Sequence, residues 1–355
     1  MNRFNFISIV KACILYTACC LVALSVQAAV VFDMLEVGDA GNAADPATGR
    51  GTVWGPYRMA SSPVTNNDYI EFLNAVDPTG GNEVGLYNPQ MGTDARGGIT
   101  LNSGAGDGMK YQVRSNMGNK PVNFVSAYDS MRFVNWMNNG QGRGSTETGA
   151  YTITSDGMAN NTIERQPIAG YVLPRSDEFY KSVFYDPRLE GAGGPTGNDF
   201  YWMYPNQSDS LPTEALADAV GDIINGPAIN YNNSADWNGQ NGNVTTVGSG
   251  GGLSYYGLLE TGGNVWEWND NIELSLFRGA SGGSYASSDP NRISSLQDFI
   301  SLPTLEAANF GFRVAYRYGV EQVPEPSTLG YVLVIGLLMQ IRNRVFRERL
   351  SRVVS

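Results

Sequence analysis

A glycine-rich turn followed by two tryptophans constrains this chain more than any other feature. Residues 261–264 (Thr-Gly-Gly-Asn) combine glycines, which adopt positive φ at no steric cost, with an asparagine, which favours such turns. Residues 265–268 (Val-Trp-Glu-Trp) have the composition of a buried strand, and two indoles bury a large apolar area. We therefore predict a core corner in which polar partners hold Glu267.

Two later segments extend this corner. Residues 279–285 carry too little side chain for an ordinary strand, and such glycines indicate close approach of another backbone or of a ligand. Residues 310–316 alternate apolar positions with period two, which predicts one strand that closes the domain.

Three amphipathic helices are predicted before the corner. Thr65 with Asp68, and Ser126 with Asp129, have the spacing of capping boxes, and a third helix is expected from residue 176. Short strands are predicted at residues 30–32, 55–59 and 151–154. Long loops rich in Gly and Asn separate them, so the sequence predicts an irregular, loop-rich α+β fold.

One loop contains an aromatic run at residues 200–205 (Phe-Tyr-Trp-Met-Tyr-Pro). Two interpretations are open for it. The rings cover the core beneath the loop, or they form a platform for a ligand.

The residue types that are missing restrict the chemistry. The sequence has no histidine, and its three cysteines stand at positions 13, 19 and 20. Residues 1–28 have the charged start, apolar run and small-residue end of a secretory signal peptide. The mature chain is thus expected to lack thiols and imidazoles. This argues against Ser-His-Asp hydrolysis and against zinc or non-haem iron, and leaves the oxygen ligands that suit calcium.

The net charge also restricts the partners of the domain. The segments before residue 29 and after residue 323 hold seven of the 23 basic residues and two of the 34 acidic ones. Residues 29–323 therefore carry 16 basic and 32 acidic residues, a net charge of −16. Nucleic acid is a poor partner for such a domain.

The chain divides into four parts. A signal peptide is expected at residues 1–28, one domain at 29–318, a linker with Pro-Glu-Pro at 319–328, and a short apolar segment with a basic tail at 329–355. This end resembles a PEP-CTERM sorting signal. The resemblance implies handling by an exosortase-type membrane enzyme, transient anchoring in the inner membrane, and delivery to the bacterial envelope or beyond.

The domain resembles the formylglycine-generating enzyme family, also called sulfatase-modifying factor. Its landmarks occur in order at residues 64–66, 121–125, 173–174, 263–268, 282–285 and 311–313. The resemblance implies a C-type-lectin-like α+β fold and bound calcium.

The resemblance also implies calcium ligands. One site would use Glu260, Gly263, Val265 and Glu267. Carboxylate and backbone oxygens around a glycine turn suit calcium, although a buried Glu267 satisfied by backbone N–H groups is the alternative. A second site would lie near Asn230 and Tyr231, completed by Asp236 or Asn238.

The family's catalytic residues do not carry over. The two copper-binding cysteines of true formylglycine generators fall here on Ser287 and Arg292, which cannot bind cuprous copper. Trp266 and Ser284 match positions in the family's substrate groove, so a groove is expected without its chemistry.

Three functions are therefore weighed. The first is a non-catalytic exported module that binds an extracellular polysaccharide or a protein, or has a structural role. The second is an oxidoreductase that converts a substrate cysteine to formylglycine, against which the two lost cysteines argue. The third is hydrolysis by paired carboxylates, for which no pair at a fixed spacing is evident.

Overall fold

Residues 29–319 are described by a computed structural model, so the predicted signal peptide, most of the linker and the basic tail lie outside the described residues. The helices are α1 (Asn66–Val76), α2 (Gln90–Thr93), α3 (Ala127–Asn138), α4 (Ser155–Ala159) and α5 (Ser176–Phe184). The strands are β1 (Met34–Val37), β2 (Tyr57–Ala60), β3 (Ile99–Leu101), β4 (Tyr111–Val113), β5 (Gly170–Val172), β6 (Trp266–Glu273), β7 (Phe277–Ser281), β8 (Phe299–Ser301), β9 (Phe310–Phe312) and β10 (Ala315–Arg317).

Two four-stranded sheets organise the domain. The first has the order β1-β2-β10-β5 and is antiparallel throughout, so the last strand of the domain lies between two early ones. The second has the order β8-β7-β6-β9, in which only the β6–β9 pair is parallel. Strands β3 and β4 form a separate hairpin. Short helices and strands joined by long loops agree with the predicted loop-rich α+β class.

The two longest helices begin as the sequence predicts. Thr65 accepts a hydrogen bond from the backbone of Asp68, Ser126 accepts one from Asp129, and each acid returns a bond to the cap. Both capping boxes are complete because all their groups lie within one helical turn. Phe72 from α1 and Phe133 from α3 then meet in the core, with ring centroids 5.4 Å apart.

Three sequence predictions need correction. Residues 30–32 are not a strand, and β1 begins at Met34 instead. Residues 151–154 contain only an isolated bridge at Tyr151, followed by α4. The predicted closing strand at 310–316 is two strands, because β9 pairs with β6 while β10 pairs with β2 and β5. The chain changes sheets at Arg313, whose side chain turns into the core.

Among residues 29–319, no helix combines the length and the apolar character needed to cross a membrane.

Candidate functional site

The glycine turn joins three separate parts of the chain. Gly263 has a φ of 74° and donates its N–H to the carbonyl of Gly282 over 2.7 Å. Asn264 donates its backbone N–H to the carbonyl of Asn230 over 2.8 Å. A Cβ on Gly263 would stand 2.2 Å from that carbonyl oxygen, so no larger residue fits. In the glycine-rich stretch 279–285, the predicted close approach of another backbone is confirmed at Gly282 and Gly283, but residues 279–281 belong to strand β7, contrary to the prediction.

Glu267 forms a buried ion pair at the start of β6. The Nε and Nη2 atoms of Arg313 each lie 2.9 Å from one of its carboxylate oxygens. Glu267 is 1% exposed and Arg313 is fully buried. Burial raises the pKa of Glu267, and the attraction of Arg313 opposes that rise. Such a bidentate pair fixes both side chains.

Arg313 also binds backbone carbonyls around the pair. Its Nη1 donates to the carbonyl of Ala60 over 2.9 Å, and its Nη2 to that of Leu259 over 2.7 Å. The guanidinium thus connects β2, the loop before the glycine turn and β6. The sequence places Arg313 in a family landmark but did not identify it as the partner of Glu267. The signal was a single charge inside an otherwise apolar run, since a buried charge requires a partner.

Glu260 lies on the other side of the turn and has a different environment. Its carboxyl group is buried although the residue as a whole is partly exposed. Burial raises its pKa to about 7, while hydrogen bonds from Asn264 and the backbone of Gly248 oppose the rise. The Asn264 amide lies 3.2 Å from Oε2. Among the described residues, no basic side chain forms a salt bridge with Glu260.

Asn230 has a buried oxygen without a partner. Its amide nitrogen donates to the carbonyl of Asn243 over 2.8 Å, but its Oδ1 meets no donor in the described part of the chain. The neighbouring Tyr231 is buried and donates its hydroxyl to the carbonyl of Pro212 over 2.9 Å. A buried amide oxygen left unpaired is the kind of ligand that calcium accepts.

The other implied calcium ligands are placed as follows. Val265 is buried directly after the turn. Asp236 accepts a bond from the backbone of Gly242 over 2.8 Å, and Asn238 is exposed and bonds weakly to Ala95. Within residues 29–319, no three Asp, Glu, His or Cys side chains converge to hold a metal. Asn230 keeps one buried oxygen without a partner in the described part of the chain, whereas both carboxylate oxygens of Glu267 bind Arg313, and calcium at either place stays a prediction.

Ser287 closes a tight turn after β7. Its Oγ accepts the backbone N–H of Ser284 over 3.0 Å, and its own N–H donates to the carbonyl of Ser284 over 3.0 Å. Its carbonyl accepts the N–H of Asn232, also over 3.0 Å. Arg292 lies with its guanidinium carbon 5.6 Å from the centroid of the Phe299 ring. A hydroxyl and a guanidinium do not fit cuprous copper, which selects soft thiolates.

The two expected groove residues are covered by protein. Trp266 is 2% exposed and its ring stacks on Phe299 at a centroid distance of 4.9 Å. Ser284 is 1% exposed. The backbone at Gly283 packs against the carbonyl of Arg292, where a Cβ would stand 2.7 Å from the oxygen. The substrate groove at these residues stays a prediction.

The fold and this turn define a class of protein: a loop-rich α+β domain closed by a Gly-Asn corner and a Glu-Arg pair. The chain belongs to the sulfatase-modifying factor family, because the family model "Sulfatase-modifying factor enzyme 1-like domain" matches residues 34–318.

Among the solved structures that resemble this chain, CarF supports the fold. CarF has 17% identity and a TM-score of 0.50, and the match covers 82% of this chain and 100% of CarF. Treponema denticola variable protein 1 has 15% identity and a TM-score of 0.45, covering 82% and 97%. PvdO from Pseudomonas aeruginosa has 14% identity and a TM-score of 0.41, covering 80% and 90%. No curated protein gives a significant match.

Proposed function

We propose that this protein is an exported, envelope-targeted sulfatase-modifying-factor domain that binds a ligand or has a structural role and catalyses no oxidation. The observation that carries the proposal is the position of Ser287. Its hydroxyl accepts a backbone N–H inside a buried turn, where the family's generators carry a copper-binding thiolate. Arg292, at the second such position, packs against an aromatic ring. Both side chains contact neighbouring protein groups, and neither is a thiolate that could bind copper.

The test of lost catalysis is an aldehyde assay. The purified chain would be incubated with a cysteine peptide, cuprous copper and oxygen, and the peptide mass would be followed. We expect no aldehyde, because the mature sequence offers no thiolate for copper. A genuine formylglycine generator serves as the positive control. Turnover above the copper-only blank would restore the oxidoreductase alternative.

We further propose calcium as a structural ion of a lectin-like domain. The unpaired Oδ1 of Asn230 supports a site there, together with Tyr231. At the neighbouring turn, Glu260, Gly263 and Val265 remain candidate ligands, and Glu267 would contribute only by releasing Arg313. Calcium would supply a rigid oxygen-bound corner and no redox chemistry.

Export and sorting complete the proposal. The apolar start of the chain and its Pro-Glu-Pro end with a basic tail support secretion, transient anchoring in the inner membrane and handling by an exosortase-type enzyme. The test is the mass of the protein recovered from its source cells. A mature start near Ala29 and a shortened C-terminus are expected. An intact chain in the cytoplasmic fraction would contradict this part.

The ligand proposed for the module is an extracellular polysaccharide or an envelope protein. Binding of the chain to polysaccharide from its own source, with calcium and then with chelator, would test this directly. Calcium-dependent binding would support the lectin-like function. If the chain binds neither the polysaccharide nor an envelope protein, the proposal reduces to a structural role.

A further inference from the structure

Half-exposed aromatic side chains meet one arginine on the surface formed by the loops that follow α5 and precede β6. The guanidinium carbon of Arg188 lies 5.1 Å from the centroid of the Tyr255 ring. The Tyr255 and Tyr256 rings lie 5.1 Å apart and nearly perpendicular to each other. Tyr255 is 36% exposed and Leu253 beside it is 43% exposed. We call this set the Arg188 surface: Tyr185, Arg188, Trp202, Tyr255 and Tyr256.

Hydrogen bonds hold this surface in one arrangement. Asp186 is fully buried and accepts the Trp202 indole N–H over 3.1 Å and the Arg188 Nη2 over 2.5 Å. Arg188 also donates to the side chain of Gln207 over 2.7 Å, and Gln207 donates to the carbonyl of Leu253 over 3.1 Å. The Trp202 ring and the Arg188 guanidinium are therefore oriented before any ligand arrives, which lowers the entropic cost of binding.

The aromatic run at residues 200–205 is partly buried and partly exposed. Tyr201 is 5% exposed and packs into the core with Tyr180 and Tyr185. Trp202, the next residue, keeps partial exposure with its polar N–H satisfied from behind. A half-exposed ring whose polar atom is already bonded presents mainly its apolar part to a ligand.

The charged groups that contact these rings already have partners. Tyr256 donates its hydroxyl to Asp39 over 3.0 Å, and Lys181 donates to the backbone carbonyl of Asp39 over 2.8 Å. Asp39 thus lies beside Lys181, and Asp186 is paired with Arg188. Residues 29–323 as a whole carry −16. A surface whose arginine is already paired, in an acidic domain, favours an uncharged ligand over an anionic one.

We propose that the Arg188 surface binds an uncharged polysaccharide strand. The apolar C–H faces of sugar rings would lie on Tyr255 and its aromatic neighbours, and sugar hydroxyls would exchange hydrogen bonds with Arg188 and Gln207. Tyrosine suits this use because it offers a large, rigid, amphipathic face at low conformational cost. The inference rests on the proposed binding function and names the ligand class and the surface that would serve it.

The experiment compares two truncations of exposed side chains. Tyr255→Ala removes the ring, and Leu274→Ala removes a 77% exposed leucine at the β6–β7 turn. The full-length chain and both variants would be titrated with the neutral and the acidic fractions of polysaccharide from the source organism, separated by anion exchange. We expect binding of the neutral fraction, weakened about tenfold by Tyr255→Ala and unchanged by Leu274→Ala. Tyr255→Phe keeps the ring and should retain the affinity.

Other outcomes overturn the inference. Neutral polysaccharide that binds the Tyr255→Ala variant as tightly as the parent chain would exclude the Arg188 surface and leave the binding function standing. Binding of the acidic fraction alone, or of neither fraction, would refute the proposed ligand. The aldehyde assay decides separately whether the non-catalytic function itself fails, so the two failures are distinguishable.

Discussion

Glu267 and Glu260 flank the same glycine turn, yet their carboxyl groups have opposite environments. Both oxygens of Glu267 lie 2.9 Å from nitrogens of Arg313. Glu260 receives an amide hydrogen bond from Asn264 and has a pKa raised to about 7. One side of the turn is thus closed by an ion pair, while the other keeps a costly buried acid that Asn264 links to Asn230. The comparison shows that a shared motif fixes where carboxylates stand and not what they bind.

The largest effect on stability is expected at the Glu267–Arg313 ion pair. Arg313→Met would leave Glu267 as a buried charge without a partner and would also free the carbonyls of Ala60 and Leu259. The free energy of unfolding should fall by about 3–5 kcal/mol at pH 7, measured by urea denaturation.

The matched control for this change is the double variant Glu267→Gln with Arg313→Met. Removing both charges should recover part of the lost stability, because no uncompensated carboxylate remains. A loss below about 1 kcal/mol for the single variant would show that the ion pair does not hold the corner.

How well the sequence predicted these elements depends on how local their determinants are. The capping boxes of Thr65 and Ser126 were predicted because every interacting group lies within three residues. Strand β1 was misplaced at residues 30–32, because its position is set by pairing with β2, whose residues lie 20 to 26 positions further along the chain. The pattern of apolar residues alone does not show whether residues 30–32 or residues 34–37 will pair with β2.

The candidate site was likewise predicted only where its determinants are local in the sequence. The family motifs identify Glu267, and its alternation with two tryptophans indicates a buried acid. Its partner Arg313 lies on the connection between β9 and β10, where the alternating pattern predicts one continuous strand. At the point where the chain changes sheet, Arg313 forms the buried ion pair, which is a contact across 46 positions of the chain. Periodicity does not report such contacts.

The second prediction concerns the side of the glycine turn that contains Glu260 and Asn230. Calcium at about one hundred times its dissociation constant should stabilise the folded chain by about 2.7 kcal/mol, seen as a higher melting temperature that chelator reverses. Asn230→Leu should abolish this gain because it removes the unpaired Oδ1. Asn206→Leu is the matched control, since its Oδ1 is also buried without a partner among the described residues. A calcium response that survives in the Asn230 variant would place the ion elsewhere.

The third prediction follows from the raised pKa of Glu260. The folded state holds the proton more tightly than the unfolded state, whose glutamate titrates near 4.5. Stability is therefore highest below that pH, falls as pH rises to about 7, and levels off above it. Without calcium, Glu260→Gln should remove this slope and stabilise the chain by about 1–2 kcal/mol at pH 8. The exposed Glu83→Gln should leave the slope intact, and an unchanged slope in the Glu260 variant would contradict the assignment.

The smallest effect is expected at Ser287, where a hydroxyl satisfies one backbone donor. Ser287→Ala would leave the N–H of Ser284 without its acceptor in a buried turn, at a cost of about 1 kcal/mol in unfolding free energy. Ser287→Cys would restore only a weak acceptor, so its stability should fall between those of the parent and the alanine variant. Equal stability of all three would mean that the turn does not depend on this hydroxyl. Position 287, where the family's generators carry a thiolate, would then have no structural reason to be serine. The proposal that this turn has a structural role would lose its main support.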